Sequence, residues 1–123
     1  PSLPLEQLLA ESDIVSIHAP LNDKTNGLIG EKELSMMKPS AFIVNMGRGG
    51  IVEEEALVKA VDEGVIAGAA LDVYCVEPLP ADSCFLKAKH PERFRLAPHV
   101  AWASEEARER LLGMVADNIA KGW

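Results

Sequence analysis

Apolar positions along this chain alternate between two spacings, one helical and one that of buried strands. Leu5, Leu8 and Leu9 predict a short amphipathic helix over residues 4–11. Pro4 is tolerated at its start because the first helical N–H groups lack an intrahelical partner. Ile14-Val15-Ser16-Ile17 predicts a strand that ends at His18-Ala19-Pro20, and Asn22 to Gly27 is a loop of turn formers. Glu31 to Met37 predicts a brief helix with Leu34 and Met37 inward, stopped by Pro39. A second strand spans Ala41 to Asn45. The next helix opens at Glu53-Glu54-Glu55, where acids meet the positive end of the dipole. Leu57, Val58 and Val61 give its buried face, and Gly64 its stop.

The same alternation continues to the end of the sequence. Val65 to Val73 predicts a third strand, with Gly68, Ala69 and Ala70 leaving room for close packing. Tyr74 to Glu92 is irregular and rich in proline, and Phe94 to Ala97 is a fourth strand. Ser104 caps a long helix reaching about Lys121, with Glu105 and Glu106 in its first turn. Ala107, Leu111, Val115 and Ile119 form its apolar stripe. Strands alternating with helices imply parallel pairing and an α/β sandwich.

Composition narrows the functional classes. The 123 residues suit one domain with a modest core, at 48% hydrophobic and 25% charged. A net charge of −7 argues against a nucleic-acid or anionic-membrane partner. Cys75 and Cys84 are too few and too far apart for a disulfide framework or a CxxC metal site, so no metal is expected and a reduced, cytoplasmic setting is. No stretch has membrane-spanning length. The chain has no initiator Met and turns helical almost at once, as a piece of a longer chain would.

In open α/β sheets, ligands bind outside the carboxyl ends of the strands. Those ends carry His18 and Pro20, then Asn45 and Arg48, then Asp72 and Glu77, then His99 and Ala101. Each has a bland reading as a turn former or solvated side chain, yet accident would scatter such groups over both edges. An imidazole exchanges protons near neutrality. Glu77 can fix the tautomer of His99, and Arg48 can hold a carboxylate bidentately. Proton donor, orienting acid and anion clamp fit reduction of a 2-keto acid with a nicotinamide cofactor. The turn Asn45-Met46-Gly47-Arg48-Gly49-Gly50-Ile51-Val52 is neither a dinucleotide fingerprint nor a P-loop. Its glycines read as room for the nicotinamide.

Several ordered motifs resemble the D-isomer-specific 2-hydroxyacid dehydrogenases. They are Ser12-Asp13-Ile14-Val15-Ser16-Ile17-His18-Ala19-Pro20-Leu21, Met37-Lys38-Pro39, the Asn45–Val52 turn, Ala70-Leu71-Asp72-Val73 with Glu77-Pro78, and Pro98-His99-Val100-Ala101. The resemblance implies an NAD-dependent enzyme (NADP not excluded) acting on a small 2-hydroxy or 2-keto acid. It implies catalytic roles for Arg48, Glu77 and His99. It further implies cofactor contacts from His18, Ala19, Pro20, Leu21 and Thr25, from Met46, Gly47 and Arg48, and from Asp72, His99 and Ala101. Residues 99–107 look most like the glycerate dehydrogenase (hydroxypyruvate reductase) branch. Residues 1–123 would then be the C-terminal half of a Rossmann domain, with about four parallel strands and flanking helices. The glycine fingerprint is missing from this sequence, so the isolated fragment is expected to be inactive and to self-associate through an unpaired first strand. The parent is expected to be a homo-oligomer, a dimer. The alternative is an NAD-sensing, corepressor-like interaction module on the same fold.

Overall fold

The computed structural model describes residues 2–122. Its elements in chain order are α1 (Leu5–Glu11), β1 (Ile14–Ile17), α2 (Glu31–Leu34), β2 (Phe42–Asn45), α3 (Glu54–Asp62), β3 (Gly68–Leu71), β4 (Phe94–Leu96) and α4 (Glu105–Lys121). The four strands form one parallel sheet in the order β1-β2-β3-β4.

Register aligns one layer of side chains from strand to strand. Val15, Ile43, Ala69 and Phe94 stand side by side and are all buried. They face Leu9 of α1, Leu34 of α2, and Leu57 and Val61 of α3, each with no exposed surface. Burial of such side chains is worth about 1.5–3 kcal/mol apiece, which makes this single helix-covered face the source of stability. The opposite face carries Ile14 beside Phe42, and Ser16 beside Val44, Ala70 and Arg95. Ile14 is 64% exposed and Phe42 47%, so no helix of the described residues covers that face.

Strand and helix ends differ from the sequence reading in explicable ways. The third strand is shorter than Val65–Val73, because the Val65 and Ile66 amides both donate to Ala60 O and wrap the end of α3. Gly64, at φ 72°, makes that reversal possible. Helix α2 stops at Leu34, although Met37 is still buried. The proline-rich segment contains two 3₁₀ turns, Cys84–Lys87 and Pro91–Arg93. The first of these places Phe85 edge-on between Tyr74 and Phe94, at centroid distances of 6.0 and 5.8 Å.

Helix α4 forms where its cap and spacing predict it. Ser104 Oγ caps it by accepting the Ala107 N–H, and Gly122 ends it in the left-handed region. No residue of the helix is buried, however, and Leu111 and Ile119 of its stripe are 55% and 68% exposed. Periodicity specifies which side of a helix is apolar, not what packs on it.

Candidate active site

Parallel strands in sequential order bring all four carboxyl ends to one rim, and the polar groups named from the sequence gather there. His99 Nδ1 lies 2.7 Å from Glu77 Oε2. Glu77 Oε1 accepts the Tyr74 backbone N–H at 2.9 Å. The carboxylate is thus held at both oxygens, and as an acceptor it requires the imidazole to donate from Nδ1. These bonds hold the Glu77 carboxyl below the usual carboxylate range, the His99 contact first and the Tyr74 amide second, with a smaller contribution from Arg48.

His99 has φ 56°, the left-handed region, and is the one described non-glycine residue there. For an L-residue this costs about 1 kcal/mol. Three contacts hold it. Asp72 Oδ1 accepts the Val100 N–H at 2.7 Å, and Oδ2 the Ala101 N–H at 2.8 Å. Trp102 Nε1 donates to His99 O at 2.7 Å. Asp72 is buried, and both its oxygens are engaged within the chain.

The turn after β2 is built by Asn45, which is 2% exposed. Its Oδ1 accepts the Gly47 N–H and its Nδ2 donates to Arg48 O, both at 3.0 Å. Two of the glycines there are required by the chain's own packing. A Cβ on Gly47 would stand 2.7 Å from Ala19 O, and one on Gly49 would stand 2.0 Å from the Tyr74 carbonyl group. The chain's own backbone occupies that space. Arg48 is exposed, and its Nη1 donates to Gly47 O at 2.8 Å.

Two hollows adjoin these groups. One, of about 530 Å³, is lined by His18, Ala19, Pro20, Leu21, Met46, Gly47 and Arg48. The other, of about 430 Å³, is lined by Tyr74, Glu77, Pro78, Leu79, Leu96, Ala97, Pro98 and His99. Both fall in the range of about 300–1,000 Å³ usual for small-ligand sites. Ser16 Oγ lies 2.8 Å from His18 Nε2 beside the first. Thr25 donates from its hydroxyl to Pro20 O at 2.7 Å and accepts the Asn22 N–H at 2.9 Å, which ties down the adjacent loop. Ala101 lines a shallower depression on the bare sheet face, with Met46 and Asp72. The segments expected to contact a cofactor therefore divide between neighbouring surfaces of one rim.

Residues 1–101 match the family model described as D-isomer specific 2-hydroxyacid dehydrogenase, NAD binding domain. The chain belongs to this family. Over 117 residues it is 51% identical to a glyoxylate reductase of Korarchaeum cryptofilum, covering 95% of this chain and 34% of that protein. It is 42% identical over 115 residues to a glycerate dehydrogenase of Methylorubrum extorquens, covering 94% of this chain and 36% of that one. The NAD-complexed D-isomer specific 2-hydroxyacid dehydrogenase of Lactobacillus delbrueckii ssp. bulgaricus superposes with a TM-score of 0.79 at 35% identity, covering 95% of this chain and 39% of that chain. The chain thus spans about a third of the length of the relatives it matches, as expected of a fragment, and its parallel sheet with flanking helices is Rossmann-like. None of the described helices is long and apolar enough to cross a membrane.

Tyr74 is the residue that sequence reasoning passed over. It stands at the start of an irregular segment, yet it is buried and bonded to the ends of two strands. A lone aromatic between Asp72 and Glu77, in a chain with one tyrosine, was the available signal.

Proposed function

We propose that this stretch is the catalytic portion, the C-terminal half of the nicotinamide-binding domain, of an oxidoreductase that interconverts a small 2-keto acid and its D-2-hydroxy acid. The 2.7 Å contact between Glu77 and His99, beside an exposed arginine, supports the reading. With Nδ1–H donated to Glu77, the His99 imidazolium presents Nε2–H to the substrate oxygen and gives it that proton as the carbonyl is reduced, leaving the neutral Nδ1–H tautomer. Glu77 fixes that tautomer and stabilises the imidazolium before transfer. Arg48 binds the substrate carboxylate through its guanidinium and draws charge from the adjacent carbonyl. A nicotinamide supplies the hydride when bound, and the hollow between the His18–Leu21 and Met46–Arg48 segments has the size to take it. NAD is the expected cofactor, with NADP also compatible.

Glyoxylate and hydroxypyruvate are the substrates we favour, since reductases and dehydrogenases named for glyoxylate and glycerate are among the relatives. Their side chains are a hydrogen and a hydroxymethyl group, small enough to leave binding to the shared carboxylate and carbonyl. The corepressor-like reading has no counterpart among those relatives.

A segment exchange tests this. The matching stretch of 117 residues replaces its counterpart in the Korarchaeum glyoxylate reductase, and NADH and NADPH oxidation is followed with both substrates. Turnover that falls about 10²–10⁴-fold on His99→Gln is the expected result. A folded chimera whose turnover is indifferent to His99 overturns the assignment.

A further inference from the structure

We propose that Tyr74 is the positioning residue of this site, setting the Glu77–His99 pair through its amide and its hydroxyl together; the role rests on the acid–base reading of that pair. Five contacts converge on it. The amide donates to Glu77 Oε1, so the carboxylate cannot rotate away from His99 without losing a bond. The hydroxyl lies 2.9 Å from Ala97 O and 3.1 Å from Leu71 O. Leu71 O already accepts the Ala97 N–H at 2.8 Å. The hydroxyl proton therefore serves Ala97 O, two residues before His99, and clamps the end of β4 to that of β3. The ring is held edge-on by Phe85, itself edge-on to Phe94 at the start of β4. Finally, the Tyr74–Cys75 peptide lies against Gly49, so the turn that carries Arg48 rests on the same residue.

Chemistry favours a phenol in this place. Burial, with Asp72, Glu77 and Glu54 nearby, raises its pKa, so the hydroxyl stays a donor at neutral pH. Phenylalanine would fill the same space and keep the amide contact, but it would leave Ala97 O without its side-chain donor. The left-handed turn at His99 would then rest on Asp72, Trp102, the Glu77 contact and the Ala97 amide bond to Leu71 O.

The chain has a single tyrosine, so it can be probed without ambiguity. In Tyr74→Phe, carbon NMR of the Glu77 carboxyl and proton NMR of the His99 Nδ1–H are compared with the unsubstituted chain. The expected result is a Glu77 midpoint moved upward toward the ordinary carboxylate range, with His99 Nδ1–H exchange about tenfold faster. An unchanged midpoint and exchange rate in a folded variant overturn the proposal. Should Tyr74→Phe fail to fold, 3-fluorotyrosine incorporation labels this one ring, and its fluorine shift reports ionisation. The His99 Nδ1–H signal is expected to weaken as the fluorinated ring ionises, over a pH interval in which the unlabelled chain retains it. A signal indifferent to ring ionisation overturns the proposal equally. These readouts need no turnover, so loss of the reductase reading alone would leave them intact.

Discussion

His99 and Glu77 stand 22 residues apart in sequence and meet at 2.7 Å across the ends of two strands. Neither residue can build the contact alone. Tyr74 and the bend after β3 deliver the carboxylate, while Asp72 and a left-handed backbone deliver the imidazole.

The Glu77 carboxyl is held below its ordinary range chiefly by the His99 bond. A carboxyl whose folded pKa is depressed contributes stability above its unfolded pKa and loses it as pH falls through the folded one. The pair is therefore expected to persist through the usual carboxylate range and to separate only at lower pH. The Glu77 side chain is 34% exposed, so the associated stability is modest. Carbon NMR titration should give a Glu77 midpoint below that of free glutamate, and a midpoint at or above it would contradict the geometry. In the segment exchange, Glu77→Gln should lower kcat/KM by about 10²-fold.

Asp72 offers a sharper test of stability. Its two oxygens hold two successive amides from a buried position. Asp72→Ala leaves those amides without acceptors and removes the restraint on His99, at a cost of about 2–3 kcal/mol. Asp72→Asn keeps one acceptor and should lose about half as much. Urea unfolding measures both, and equal stability for all three proteins would refute this account.

The glycines of the Arg48 turn are separable from those that merely reverse the chain. Gly49→Ala puts a methyl group 2.0 Å from the Tyr74 carbonyl, which only a backbone shift relieves. That overpacking should cost about 1–3 kcal/mol and displace Arg48. Gly64→Ala meets nothing within 4 Å, yet its φ of 72° disfavours any Cβ, at about 1 kcal/mol. The first should impair substrate binding in the chimera and the second should not. Equal effects on KM would contradict the distinction.

The alternation of apolar segments carried the sheet, because a strand buried on one or both faces must recur with its crossover helix. The rim followed from topology, since parallel strands in sequential order share one carboxyl edge. What could not be read from spacing was which donor met which acceptor. Asn45 looked like one more polar residue at a strand end, yet it folds the Arg48 turn through both ends of its amide. Tyr74 looked like loop, because the bonds that define it reach Ala97 and Leu71 through one hydroxyl. The stripe of α4 was legible as a pattern, but a pattern does not name its partner.

That unpartnered surface sets the last prediction. Ile14 and Phe42 are adjacent across β1 and β2 on the bare face, and β1 is also an edge strand with unpaired backbone groups. Covering one such side chain is worth about 1.5–3 kcal/mol, so pairing two copies of the face gains several times thermal energy. Exposed apolar surface beside an open edge is a known route to association. The 123-residue chain is therefore expected to self-associate reversibly, with sedimentation coefficients that rise with concentration. Ile14→Lys places a charge on the edge strand at a solvent-facing position, so it should restore a monomer without lowering the unfolding temperature. A wild-type chain that sediments as a monomer at high concentration would rule out this role for the face. Persistent association of the lysine variant would move the contact to α4, where Leu111, Leu112 and Ile119 are the exposed alternatives.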